Sequence, residues 1–167
     1  MKKIILTSCF LVGMFLITTS FRRNSAAESI TKFLTEAADA RLMDTEEGKL
    51  ARERGTTEEI RSYGRWMMRD QNKLLQEIQA IAKSKSIKLP SAISEEKSKG
   101  LEDLKKVKGE EFDKKFARMI CIDHKRDVKE FKRATKFADA DVKQFASRYL
   151  PTIEAHLERI QEIEKEK

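Results

Sequence analysis

A histidine stands in the middle of an apolar helical stripe, and few arrangements can accommodate one there. In Phe116–Val128, FARMICIDHKRDV, a step of about 100° per residue places Ala117, Ile120, Cys121, Val128, Phe131 and Thr135 within about 60° of His124. Such a helix needs partners that cover the stripe and answer the imidazole, because a buried polar group without a partner costs free energy. A related stretch lies upstream. Tyr63, Gly64, Arg65, Trp66, Met67, Asp70 and Gln71 repeat the spacing of Phe116, Ala117, Arg118, Met119, Ile120, Asp123 and His124, with glutamine where the second copy has histidine.

The rest of the chain supplies helices of the same kind. Two prolines and six glycines in 167 residues, 38% of them charged and 40% hydrophobic, describe one mostly helical domain with little material for a sheet. The first helix is expected from Ala27 to Arg54, through Phe33, Ala37, Ala40, Asp44, Glu47, Leu50 and Ala51. Gly55 ends it, and Thr57 can cap a second helix over Glu58–Ser86. Pro90 breaks the segment Ile87–Ser94, and a short amphipathic helix follows over Glu95–Val107. The next long helix spans Glu111–Ala138, with Glu110, Glu111 and Asp113 favourable to its dipole. The last spans Asp141–Ile163, starts at an aspartate cap and should bend at Pro151. Four long helices with a short crossover helix between the two pairs make an all-α, ferritin-like four-helix bundle over residues 29–163, with a frayed end at 164–167.

The N-terminus reads as an export signal. Lys2 and Lys3 precede an apolar run from Ile4 to Ile17, and Thr18, Thr19 and Ser20 offer the small residues that a signal peptidase needs. The run is shorter than the roughly 20 residues of a membrane span. The expected product begins at Phe21 with a flexible tail over 21–28, is periplasmic or envelope-associated and has no span in its mature chain; an uncleaved membrane anchor is the rival. Cleavage removes Cys9, so Cys121 remains as a small core residue without a disulfide partner. The formal net charge of +7 is spread over closely alternating acids and bases, with no interleaved aromatics and no glycine-rich phosphate loop, which argues against a nucleic-acid partner.

His124 and His156 are equally far from the turn at Asp139–Asp141, so in an antiparallel pair they share a level to within about one helical turn, ~5 Å. In the other pair, folding about Gly55–Thr56 brings Gln71 opposite Ala40, with Asp44 a turn away and Glu47 a further turn on. Asp44, Glu47, Gln71, His124 and His156 are therefore the candidate ligands of one divalent transition ion, Zn, Fe or Mn. Glutamine is a poor ligand for these metals, and neither Glu-x-x-His signature of di-iron bundles is present. The same residues equally suit a hydrogen-bonded layer that fixes helix register. Met67, Met68 and Trp66 read as core packing, and a Cys121–His124 catalytic pair lacks any oxyanion device.

Several segments together resemble the DUF4142 family of exported bacterial proteins. They are the acid and GKLA segment of Asp44–Ala51, YGRWMMRDQ at Tyr63–Gln71, KLP at Lys88–Pro90, GEEFDKKF at Gly109–Phe116, IDH at Ile122–His124 and YLPTIEAHL at Tyr149–Leu157. The resemblance implies a ferritin-like four-helix fold and an unknown activity, with Asp113, His124, Leu150, Pro151 and His156 as the family's usual residues. Asp44 stands where the family has glutamate, and Asp70–Gln71 where it has an Asp-His pair; if the family's polar cluster binds metal, these departures imply weak binding or none in this member. Three function classes remain. One is a non-enzymatic exported protein with a metal-binding or structural core. A second is a metal-dependent hydrolase or oxidase with Asp44, His124 and His156 as ligands and Glu47 as base. The third is an adaptor, as a homo-oligomer or on the envelope, presenting an apolar helix face.

Overall fold

The computed structural model describes the backbone of residues 9–166 and the side chains of residues 25–166. Lys2, Lys3 and the start of the expected export signal lie outside these residues, as does Lys167. The chain forms α1 (Cys9–Arg54), α2 (Glu58–Ser84), α3 (Glu95–Lys106), α4 (Gly109–Ala134) and α5 (Ala140–Lys165), and no strand occurs among the described residues. The segment 21–28, expected as a tail, is helical and continuous with α1. Among the described residues no helix is long and apolar enough to cross a membrane.

Local chemistry sets the boundaries. Gly55 closes α1 with its N–H on the Ala51 carbonyl at 2.9 Å, and a Cβ there would lie 2.5 Å from Ile60 Cγ2, so no larger residue fits this turn. Thr57 caps α2 by accepting from Ile60 N, Ser94 caps α3 by accepting from Lys97 N, and Asp139 caps α5 by accepting from Val142 N. Gly109 adopts φ +62° where α4 begins, a left-handed conformation suited to glycine. Helix α5 continues through Pro151, which lies on the exposed face where the freed carbonyl can meet water.

Helix α1 pairs with α2 and α4 pairs with α5; α1 also packs on α4, α2 on α5, and α3 lies against α1 and α4. Two tertiary clamps fix the connections. Asp113, fully buried, accepts from Thr56 N at 3.1 Å and from Thr56 Oγ1, tying α4 to the α1–α2 turn; its place near a helix start is thus only part of its role. Asp39 accepts from Ser94 N and Oγ at 2.8 Å each, holding the entry of α3 on α1.

The apolar interior is divided. One cluster gathers Leu50, Ile60, Met67, Phe112, Phe116, Ile120, Ile160 and their neighbours; the other gathers Phe33, Leu34, Leu74, Ile78, Phe131, Phe145, Ile153 and theirs. Along each long helix the change from one cluster to the other falls at polar residues: Arg41 to Glu47 on α1, Gln71 on α2, His124 and Asp127 on α4, and His156 on α5. Beside this level α1 and α2 touch through Gly48 and Gly64. A Cβ on Gly64 would lie 2.5 Å from the Gly48 carbonyl oxygen and 2.8 Å from Arg52 N. Gly64→Ala is therefore expected to destabilise the protein by about 1–3 kcal/mol despite the better helix propensity of alanine. The midpoint of chemical denaturation measures this, and an unchanged midpoint would contradict such close packing.

Candidate functional site

The polar level contains a guanidinium. Arg41 is fully buried; its Nη2 donates to Asp127 Oδ2 and lies 3.0 Å from Asp44 Oδ2, the latter an ion pair without hydrogen-bond alignment. Burial by itself would lower the Arg41 pKa, yet Asp127 and Asp44 outweigh burial and raise it. Asp44, Asp127 and His124 bring one ligand atom each to within 4.8 Å of one another, and they form the one such group of metal-ligating side chains among the described residues. The guanidinium thus touches both carboxylates of that group.

The histidines are oriented differently. His156 Nε2 lies 3.0 Å from Asp70 Oδ2, Trp66 stacks on the ring at 3.9 Å with planes 19° apart, and Tyr63 donates its O–H to the His156 carbonyl at 3.2 Å. Asp70 carries its charge readily: burial pushes its pKa up, but hydrogen bonds from Arg69 and His156 bring the net shift below the usual value. A negative Asp70 fixes the tautomer with hydrogen on Nε2 and leaves a lone pair on Nδ1, which is buried and has no partner among the described residues. The His124 ring lies 5.7 Å from that of His156, and neither of its nitrogens has a hydrogen-bond partner among the described residues. Burial lowers both histidines to about 4, so both are neutral near pH 7.

The carboxyl groups are shifted the other way. Burial pushes Asp44 up to about 7, with Arg41 opposing, and pushes Glu47 well above its ordinary value, with Asp44 adding to the shift. Among the described residues neither Glu47 oxygen has a hydrogen-bond partner, nor has Gln71 Oε1. Buried polar atoms are nearly always satisfied, so this many orphaned donors and acceptors at one level of a core needs a physical account. Neutral imidazole nitrogens and carboxyl oxygens that can shed a proton are also the donors that Zn, Fe and Mn take.

All five sequence candidates, Asp44, Glu47, Gln71, His124 and His156, are buried. Asp44 and His124 belong to the close group, whereas Glu47 and His156 stand outside it. Arg41, Asp127 and Asp70 complete the environment. Arg41 carried a legible signal, since it is four residues after Ala37 and three before Asp44, on the inward face of its helix. Trp66, expected as core packing, is half-buried and lies against His156. Among the described residues Ile122 is the large hydrophobic side chain left exposed, a small surface for an adaptor.

The depressed His124 pKa has a definite sign. Its folded value of about 4 lies below the ordinary value of about 6.5, so between these pH values the unfolded chain takes up a proton that the folded chain refuses. Stability contributed by neutral His124 is present above pH ~6.5 and is lost as pH falls toward ~4, at roughly 1 kcal/mol per pH unit. Asp44, with its raised pKa, acts in the opposite sense in parent and variant alike. The stability of His124→Gln should fall less steeply than that of the parent between those pH values, as measured by urea unfolding across the range. Parallel pH profiles would contradict a neutral buried imidazole.

No curated protein matches the chain. Among solved structures, the crystal structure of a DUF305 fragment from Deinococcus radiodurans is similar, with a TM-score of 0.74 over 83% of this chain and 97% of that chain. At 14% sequence identity this is a likeness of fold. The family model described as a domain of unknown function, DUF4142, matches residues 18–163. With the match covering most of its length, the chain belongs to the DUF4142 family.

Proposed function

We propose that this chain is an exported divalent-metal-binding protein, a ferritin-like bundle of four long helices with α3 as the crossover and the ion held in the polar level. The observation that carries the reading is His156, whose Nε2 faces Asp70 while its buried Nδ1 has no partner. A carboxylate behind one imidazole nitrogen, with the other nitrogen left unpartnered, is how proteins prepare histidine ligands. His124 lies beside it with both nitrogens free of hydrogen bonds among the described residues, and the unpartnered oxygens of Glu47 and the Arg41-paired carboxylate of Asp44 supply negative charge once deprotonated. Asp44, His124 and Asp127, the close group, would be the principal ligands, with His156, Glu47 or water completing the set. The amide of Gln71 is best suited to orienting such a water. Export is supported by the Lys2–Lys3 start and by the apolar run to Ile17, which precedes the family match beginning at residue 18.

A second reading is favoured by Arg41. A guanidinium paired to Asp127 and Asp44 already supplies the layer with a cation, and a register-fixing polar layer needs no other. Elemental analysis separates the two. On the metal reading, the untagged protein holds close to one equivalent of metal, and a His124→Ala, His156→Ala double variant that remains folded holds none. On the structural reading, both are metal-free and the variant is merely less stable.

Asp70→Asn should weaken metal affinity by about 10–100-fold while the protein stays folded, because it removes the carboxylate that orients His156. Competition against a zinc-chelating dye measures this, and unchanged affinity counts against His156 as a ligand. Expressed with its N-terminus intact, the mature protein should begin at Phe21, and mass spectrometry that finds Met1 retained would overturn cleavage after Ser20.

A further inference from the structure

We infer that Arg41 is a resident counter-cation that competes with an incoming metal ion for Asp44 and Asp127, so that loading requires the guanidinium to withdraw. The inference rests on the metal-binding reading and adds its regulation. Three observations lead to it. The close donor group consists of Asp44, Asp127 and His124, and Arg41 Nη2 contacts the two carboxylates of that group. A divalent ion among these ligands would stand within a few ångströms of a fixed positive charge in a poorly screened interior, which weakens its binding steeply. The guanidinium and the ion are therefore rivals for one seat.

Arg41 is also incompletely held. Its Nε and Nη1 are buried and have no hydrogen-bond partner among the described residues, so a single nitrogen, Nη2, makes the contacts that keep the group in place. An arginine locked as a permanent structural cation normally uses its fork, with several N–H groups engaged at once. One engaged nitrogen is a weaker hold.

The third observation is a way in. A groove of about 530 Å³ runs between α1, α3 and α4, and Asp127 lines it, so the carboxylate that Arg41 grips from inside is also reached from outside. Asp39, Asp123 and Glu130 line the same groove, and its carboxylates outnumber its basic groups although the whole chain is basic. Field lines from such a lining concentrate cations at the mouth. A cation arriving there meets Asp127 first and exchanges with Arg41 at that carboxylate.

The test is zinc binding by the full mature chain, measured by competition with a chromophoric chelator in parent, Arg41→Gln and Arg41→Lys. Arg41→Gln keeps a donor for Asp127 and removes the charge, and its zinc affinity should rise by at least about tenfold, whereas Arg41→Lys should stay near the parent. Equal or weaker zinc binding in Arg41→Gln would overturn the competition and leave the metal site standing. Absence of zinc from all three proteins would remove the metal reading itself, and this inference with it. Should Arg41→Gln fail to fold, nitrogen-15 spectra of the parent decide: the Arg41 Nε resonance shifts on zinc saturation if the guanidinium withdraws, and an unmoved resonance under saturation overturns the proposal.

Discussion

The molecule is organised around the cost of keeping ionisable groups away from water. Arg41, Asp44, Glu47, His124 and His156 are all buried, and each would be more comfortable solvated. The chain meets that cost unevenly. Arg41 and Asp127 form a pair in which the two charges cancel, the histidines shed their protons, and Glu47 keeps its own. What remains is a set of neutral or nearly neutral groups whose lone pairs are unanswered among the described residues. The two apolar clusters on either side can then be read as insulation, since each closes one end of the level and keeps its dielectric low.

Every long helix contributes to that level, so the helix contacts decide its geometry. Gly48 and Gly64 let the backbones of α1 and α2 touch, which sets the height of Glu47 against Met67 and Gln71. On the opposite side Asp113 holds the α1–α2 turn to α4, which sets the first pair against the second. The glycine contact lies beside the polar level, and Asp113 stands about three turns before His124 on α4. A site assembled from separate helices is only as well placed as the contacts that fix their mutual slide.

Much of the element order was legible because it is written locally. Thr57, the break around Pro90 and the aspartate before the last helix act within a turn of themselves, and the structure has caps or breaks at each. The burial of Asp44, Glu47, Gln71, His124 and His156 was legible because period alone places them on inward faces. Arg41 was missed for the converse reason: a charged residue in a charged helix is ordinarily solvated, and its burial is tolerable because Asp127, far along the chain on α4, joins Asp44 in pairing with it. Asp70 was placed as part of a motif, yet its contact to His156 spans two helices that no local pattern relates.

The stacking of Trp66 on His156 has one more consequence. The chain has a single tryptophan, and it rests on the imidazole that faces Asp70. Indole emission responds to the charge and electron-accepting character of whatever lies on its face. The protein therefore carries an intrinsic optical reporter of His156, and steady-state fluorescence can follow events at the centre of the core without a label.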